Sequence, residues 1–176
     1  MRHVLRAAIS NRWLRVPSGP HRSSAIRSVN DMAESGARVL ELMKALGSAD
    51  AQERIRALFE IQAEGIGLLP ALLEIVGQPD ATLVCLVWTM MSIGQFGSAA
   101  TEPAHSALVC CLGATSPTVR RAAIRTLGQL RDLDAIPQIA ALRTDHTQDP
   151  NAWFDDDCTV AQTAELVLAA LQRSTR

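Results

Sequence analysis

Apolar positions recur along this chain at helical spacing, and they come in alternating longer and shorter stretches. Residues 51–63, 81–96 and 117–130 place apolar side chains every three or four positions, the spacing that lines one face of an α-helix. A shorter apolar stretch follows each of them, at 67–77, 101–112 and 135–143. Near the start of each short stretch stands a proline: Pro70, Pro103 and Pro137, spaced 33 and then 34 residues apart. Proline in a first helical turn removes an N–H that had no partner there, so it marks a helix start. Asp50, Asp80 and Ser116 stand where the N-caps of the longer helices are wanted. The spacing predicts a unit of first helix, turn, Pro-started second helix and loop, repeated about every 34 residues.

Internal copies support that unit. Ser92-Ile-Gly-Gln-Phe96 aligns with Thr126-Leu-Gly-Gln-Leu130 at an offset of 34, and both glycines are expected to stop or bend a first helix. A fourth first helix is predicted over Thr159–Gln172, where Val160, Ala164 and Leu168 match Val119, Ala123 and Leu127. That match needs an offset of 41, so about seven extra residues interrupt the array. An amphipathic helix over Asn30–Leu46 precedes the first unit. The repeat domain therefore spans 31–176, and residues 1–30 stand apart from it.

One unit carries a recognisable pattern. Val119-Arg120, Ala122-Ala123, Leu127-Gly128, and Ala135 with Pro137 follow one another within Ser116–Leu142. This resembles a HEAT repeat of the short kind found in phycobilisome lyases and many bacterial proteins. The unit at 81–112 departs from it, with Cys85-Leu86 and Trp88-Thr89 at the Val-Arg and Ala-Ala places. The unit at 51–77 keeps Ala57 and Pro70. The resemblance covers roughly residues 48–172. It implies an all-α fold, a right-handed α-α superhelix (HEAT-like solenoid) of about three and a half helix pairs. It further implies that the second helices line the concave side and that Arg120 pairs with acids between stacked units. Trp88 is read as core filling.

Composition narrows the function. Tyr is absent and Trp and Phe number three each, so Ala and Leu must fill the core, as suits close-packed helices. Six Arg and no acid fall within residues 1–30. The remaining residues hold eleven basic and eighteen acidic side chains, a balance of −7 that disfavours a nucleic-acid partner. No apolar run reaches the roughly 18 residues of a membrane span. Cys85, Cys110, Cys111 and Cys158 form no C-x-x-C pair and read as small core residues, so a reducing cytoplasm is expected. Residues 1–30 have three readings. Met32 is the true start and the segment is not native; or it is a disordered basic tail; or it is an organellar targeting peptide.

Candidate chemistry is sparse. The four histidines, His3, His21, His105 and His146, make no H-E-x-x-H motif, and the chain has no His-Glu dipeptide. Nucleophile elbows and phosphate loops are absent from the sequence too. No catalytic residue, cofactor or metal is expected. The second helices hold Glu74, Glu102 and His105 with only Arg143 as a base, a face suited to a peptide or an apolar partner helix. Arg121 and Arg125 lie four apart on one helix face and read as solvated, with contact to an acidic partner as the sharper option. The insertion 144–157 combines five Asp and one His with Trp153-Phe154. Asp155 to Asp157 precede a helix, where acids favour the N-terminus, and Trp153 and Phe154 offer a partner contact. The expected function is a non-enzymatic protein-protein interaction module, an adaptor, regulator or scaffold. Its partner would meet the concave face, the 144–157 loop, or both, through His105, Trp153, Phe154, Asp155, Arg121 and Arg125. The alternative is a bilin lyase-like protein of chromophore maturation, and self-association is a further expectation for so short an array.

Overall fold

The computed structural model describes residues 37, 40–79, 81–148 and 158–174. Residues 40–46 are helical. Seven further helices follow: α1 (Ala51–Glu64), α2 (Leu69–Val76), α3 (Leu83–Gly94), α4 (Thr101–Cys111), α5 (Pro117–Leu130), α6 (Ile136–Ala141) and α7 (Val160–Ser174). The first helices α1, α3, α5 and α7 stack side by side in chain order, and α2, α4 and α6 pack beside them as a second layer. Among the described residues the extended pairing is limited to one isolated bridge, Gln148 with Thr159. The fold is all-α and solenoid-like, as the spacing predicted.

Each element follows from local chemistry. Asp50 caps α1, accepting a hydrogen bond from the Gln52 N–H at 2.8 Å. Thr82 caps α3 through the Cys85 N–H at 3.2 Å. Asp80, expected in that role, lies outside the described residues. Ser116 holds the N-cap position of α5 with extended backbone but without a side-chain cap bond, and Pro117 supplies the first helical residue. At α7, Thr159 and Gln162 form a capping box. The Thr159 Oγ1 accepts from the Gln162 N–H at 3.2 Å, and the Gln162 Oε1 accepts from the Thr159 N–H at 2.8 Å. The acids Asp155 to Asp157, expected to serve this helix end, lie outside the described residues.

The prolines mark second helices, but not at one fixed place. Pro70 and Pro137 are the second residues of α2 and α6, whereas Pro103 is the third of α4. Either place is harmless, because the first N–H groups of a helix have no intrahelical acceptor. The core register is stricter. Val119, Ala123, Leu127 and Leu130 of α5 are buried, and so are Val160, Ala164, Leu168 and Leu171 of α7, each 41 residues later. Burial at these places gives the array its cohesion, since a two-helix unit cannot cover its own apolar face. Truncating a fully buried Leu such as Leu127 would cost about 2–5 kcal/mol.

Two glycines act differently from expectation. Gly94 ends α3, but Gly128 lies inside α5, two residues before its end, and does not stop it. Their shared role is proximity. A Cβ on Gly128 would stand 2.7 Å from Val167 Cγ1 of α7, and one on Gly94 would run into the end of the Gln129 side chain of α5. Consecutive first helices thus touch at the equivalent glycine. A buried hydroxyl adds a polar tie: Thr126 Oγ1 donates within reach of both Ala122 O at 2.9 Å and Met90 O of α3 at 3.1 Å. Trp88 is half-buried against the core, as expected of a filler, and the Arg54 guanidinium sits 5.3 Å from its ring centroid.

Candidate functional site on the second-helix layer

His105 lies on α4 with 30% of its side chain exposed, and Asp132 beneath it is almost wholly covered. The sequence after α5 builds this carboxylate's position. Arg131 adopts a left-handed conformation, φ 57° and ψ 42°, and ends the helix. The Arg131 N–H then donates to Gly128 O at 3.2 Å and the Asp132 N–H to Leu127 O at 3.0 Å, the Schellman arrangement. Held there, Asp132 Oδ1 accepts the N–H groups of Asp134 and Ala135, both at 3.1 Å, and so shapes the turn into α6. Its second oxygen, Oδ2, lies 2.8 Å from His105 Nδ1. An ionised carboxylate only accepts, so the ring donates from Nδ1, and Nε2 of the neutral ring is left as an acceptor.

Around His105 the layer presents small or weakly charged side chains. Its exposed positions include Pro70 and Glu74 on α2, Glu102, Pro103, Ser106 and Cys110 on α4, and Pro137, Gln138 and Ala141 on α6. Arg143, just past α6, is exposed as well. Such a surface lacks the row of bases that a phosphate backbone requires. It can hydrogen-bond through His105 and bury apolar area, and it holds no nucleophile aligned with that ring among the described contacts.

The other candidate residues do not gather here. Arg121 and Arg125 belong to α5, a first helix. Arg121, expected to be solvated, is only 1% exposed, a correction with a clear cause. At the 34-residue offset Arg121 matches the buried Val87, so it faces the neighbouring helix, where its Nε donates to Thr163 Oγ1 of α7 at 3.1 Å. Arg125 is partly covered, with its Nε out of contact with solvent. Trp153, Phe154 and Asp155 lie outside the described residues.

The neck of the insertion is nevertheless well defined. Arg120 Nε bonds Asp145 Oδ2 at 2.8 Å, while its terminal nitrogens reach Ala114 O at 2.7 Å, Thr115 O at 2.9 Å and Thr147 Oγ1 at 2.7 Å. Arg120 thereby ties the loop before α5 to the one after α6. The carbonyls of Asp145 and Thr147 in turn receive the first N–H groups of α7, from Ala161 at 2.7 Å and Val160 at 3.1 Å. Burial alone pushes the Asp145 carboxyl up, but hydrogen bonds from Thr147 and Arg120, with the Arg120 charge, bring it below the usual carboxylate value. Asp145 is thus committed to a structural bond. Among the described residues no group of three or more His, Cys, Asp or Glu is placed to hold a metal ion.

Residues 119–145 match the family model of the PBS lyase HEAT-like repeat. This is a HEAT-like repeat protein. The matched segment runs from the first turn of α5 through α6 to Asp145, so it contains both the Arg120–Asp145 bond and the carboxylate that meets His105. No curated protein matches the chain. No single helix among the described residues is long and apolar enough to cross a membrane. What sequence reading missed was Asp132 and the capping box at Thr159. The latter was visible as Thr-x-x-Gln ahead of an apolar helix; the former carried no local signal, because its partner lies 27 residues away.

Proposed function

We propose that this HEAT-like repeat protein is a non-enzymatic interaction module of the cytoplasm, which receives an apolar, weakly charged segment of another protein on its second-helix layer. The observation that carries the reading is the pairing of His105 with the buried Asp132. It fixes one hydrogen-bonding ring on a face otherwise made of small exposed side chains. Such a face favours a partner helix or peptide that buries apolar surface and offers one donor to Nε2. The reading is tested by affinity purification with wild-type protein and with Ser106→Arg and Ala141→Arg, two exposed changes that bulk out the layer without touching the core. One partner recovered by wild type and lost from both variants is the expected result. Equal recovery in all three, with loss on Trp153→Ala, would move the contact to the 144–157 loop.

A second reading rests on the family match. The matched repeat takes its name from PBS lyases, so a bilin-handling role is the alternative. Mixing the protein with a free bilin separates the two. An unchanged absorbance spectrum rejects the bilin reading and leaves the interaction module.

A further inference from the structure

Exposed apolar side chains are concentrated at the N-terminal end of the array. Of the large apolar residues that stand out to solvent, Leu40 (58% exposed), Phe59 (63%) and Ile66 (45%) all precede α2. A groove of about 400 Å³ runs between the helical residues 40–46 and α1. Ala45 and Ala57 form its floor, and Lys44, Glu53, Arg56 and Glu60 stand along its sides. Leu40 lies four residues before Lys44, and Phe59 three after Arg56, so each apolar side chain extends one wall of the groove. The terminal unit of a solenoid needs a cover with a polar outer face. Here the described part of the first unit instead offers alanine floor and apolar rim.

The chain itself contains a segment of complementary chemistry. Leu5, Ile9, Trp13 and Val16 recur every three or four residues, while Arg2, Arg6, Arg12 and Arg15 accompany them without an acid. As a helix, residues 2–16 would measure about 22 Å, close to the roughly 21 Å of the 14-residue α1. Charge also matches. Residues 40–64 carry Glu41, Asp50, Glu53, Glu60 and Glu64, against Lys44, Arg56 and an Arg54 already stacked on Trp88. Reach is sufficient, because the 23 residues from 17 to 39 span roughly 25 Å as a flexible coil. We propose that residues 2–16 dock as an amphipathic helix along the groove between residues 40–46 and α1, capping the first unit of the array. Leu5, Ile9 and Trp13 meet the alanine floor and the Leu40 and Phe59 rims, and the arginines face the acids. The segment is then a built-in end cap, and this end of the array is closed to a second copy.

The test uses the full chain with the photoreactive residue p-benzoylphenylalanine at position 59, an exposed place where one aromatic ring replaces another. Irradiation should give a crosslink within the same molecule to a residue between 2 and 16, located by peptide mass mapping. The full-chain double variant Ile9→Asp, Trp13→Asp should lose that crosslink while keeping its helical circular dichroism. Hydrogen exchange of α1 amides should then quicken by about tenfold, with α5 unchanged. A crosslink to another molecule, a crosslink elsewhere in the chain, or none at all overturns the proposal. So does a crosslink that survives the double variant, or α1 exchange that does not respond.

Discussion

Asp132 Oδ2 lies 2.8 Å from His105 Nδ1, across the boundary between the second and third helix pairs. The other oxygen of the same carboxylate holds the backbone of Asp134 and Ala135. One buried side chain therefore joins two units and also shapes the turn inside one of them. Removing each end of the contact should have unequal effects. Asp132→Ala leaves two N–H groups of the turn without their acceptor and is expected to lower stability by about 3 kcal/mol, whereas His105→Ala should cost about 1–2 kcal/mol. In urea unfolding the double variant should recover at least roughly 0.5 kcal/mol relative to the sum of the singles. Additivity within experimental error would mean that the two side chains contribute independently.

The fold was more legible than this contact. Helical spacing and the prolines located every described helix to within about two residues at most ends, because burial of one stripe imposes the 3.6-residue period on the sequence itself. The 41-residue offset predicted the buried face of α7 correctly through Val160, Ala164 and Leu168. Side-chain partners were harder to read, since they depend on which helices meet. Arg121 shows this: charge at i, i+4 suggested solvent, while its alignment with Val87 placed it in the core, beside a Thr163 that sits beyond the insertion. Asp132 was hidden for the same reason, being local in its caps but distant in sequence from His105.

The Arg120–Asp145 bond predicts an acid-sensitive neck. The Asp145 carboxyl is depressed in the folded protein, so protonation favours the unfolded chain. Its stabilising contribution is complete above the unfolded value of about 3.9 and is lost as pH falls through the lower folded value. Wild type should therefore exceed Asp145→Asn in urea midpoint at neutral pH. The difference should shrink at about pH 3 and below, where both side chains are uncharged. A gap that is constant across this range would remove the ionised bond from the account.

The adjacent thiols on α4 should react at very different rates. Cys110 is exposed, whereas Cys111 is half-buried and burial, with Cys110 beside it, pushes its thiol up to about 11. At pH 8 its thiolate is then roughly one part in a thousand, and only the thiolate attacks an alkylating reagent. Burial also raises Cys85, against a smaller opposing bond from Thr89. Timed iodoacetamide labelling with peptide mapping should show Cys110 modified first and Cys85 and Cys111 lagging far behind. Equal labelling of Cys110 and Cys111 would contradict the burial of the second thiol.

Gly94 and Gly128 occupy equivalent places 34 residues apart, yet alanine should affect them in opposite ways. In a helix alanine is favoured over glycine by about 1 kcal/mol, so each substitution begins with a gain. At Gly94 the new methyl meets only the end of Gln129, a long side chain with room to rotate away. Gly94→Ala should be neutral or slightly stabilising. At Gly128 the methyl would stand 2.7 Å from Val167 Cγ1 and 3.3 Å from its Cγ2. Valine is held to one rotamer in a helix, so α7 itself must move away from α5. Overpacking of this kind costs about 1–3 kcal/mol, enough to outweigh the helix gain. Thermal or urea unfolding of Gly128→Ala should accordingly show a loss, and Val167→Ala in the same chain should restore part of it. Without that rescue, the close approach of the two first helices at this glycine would not be what sets its identity.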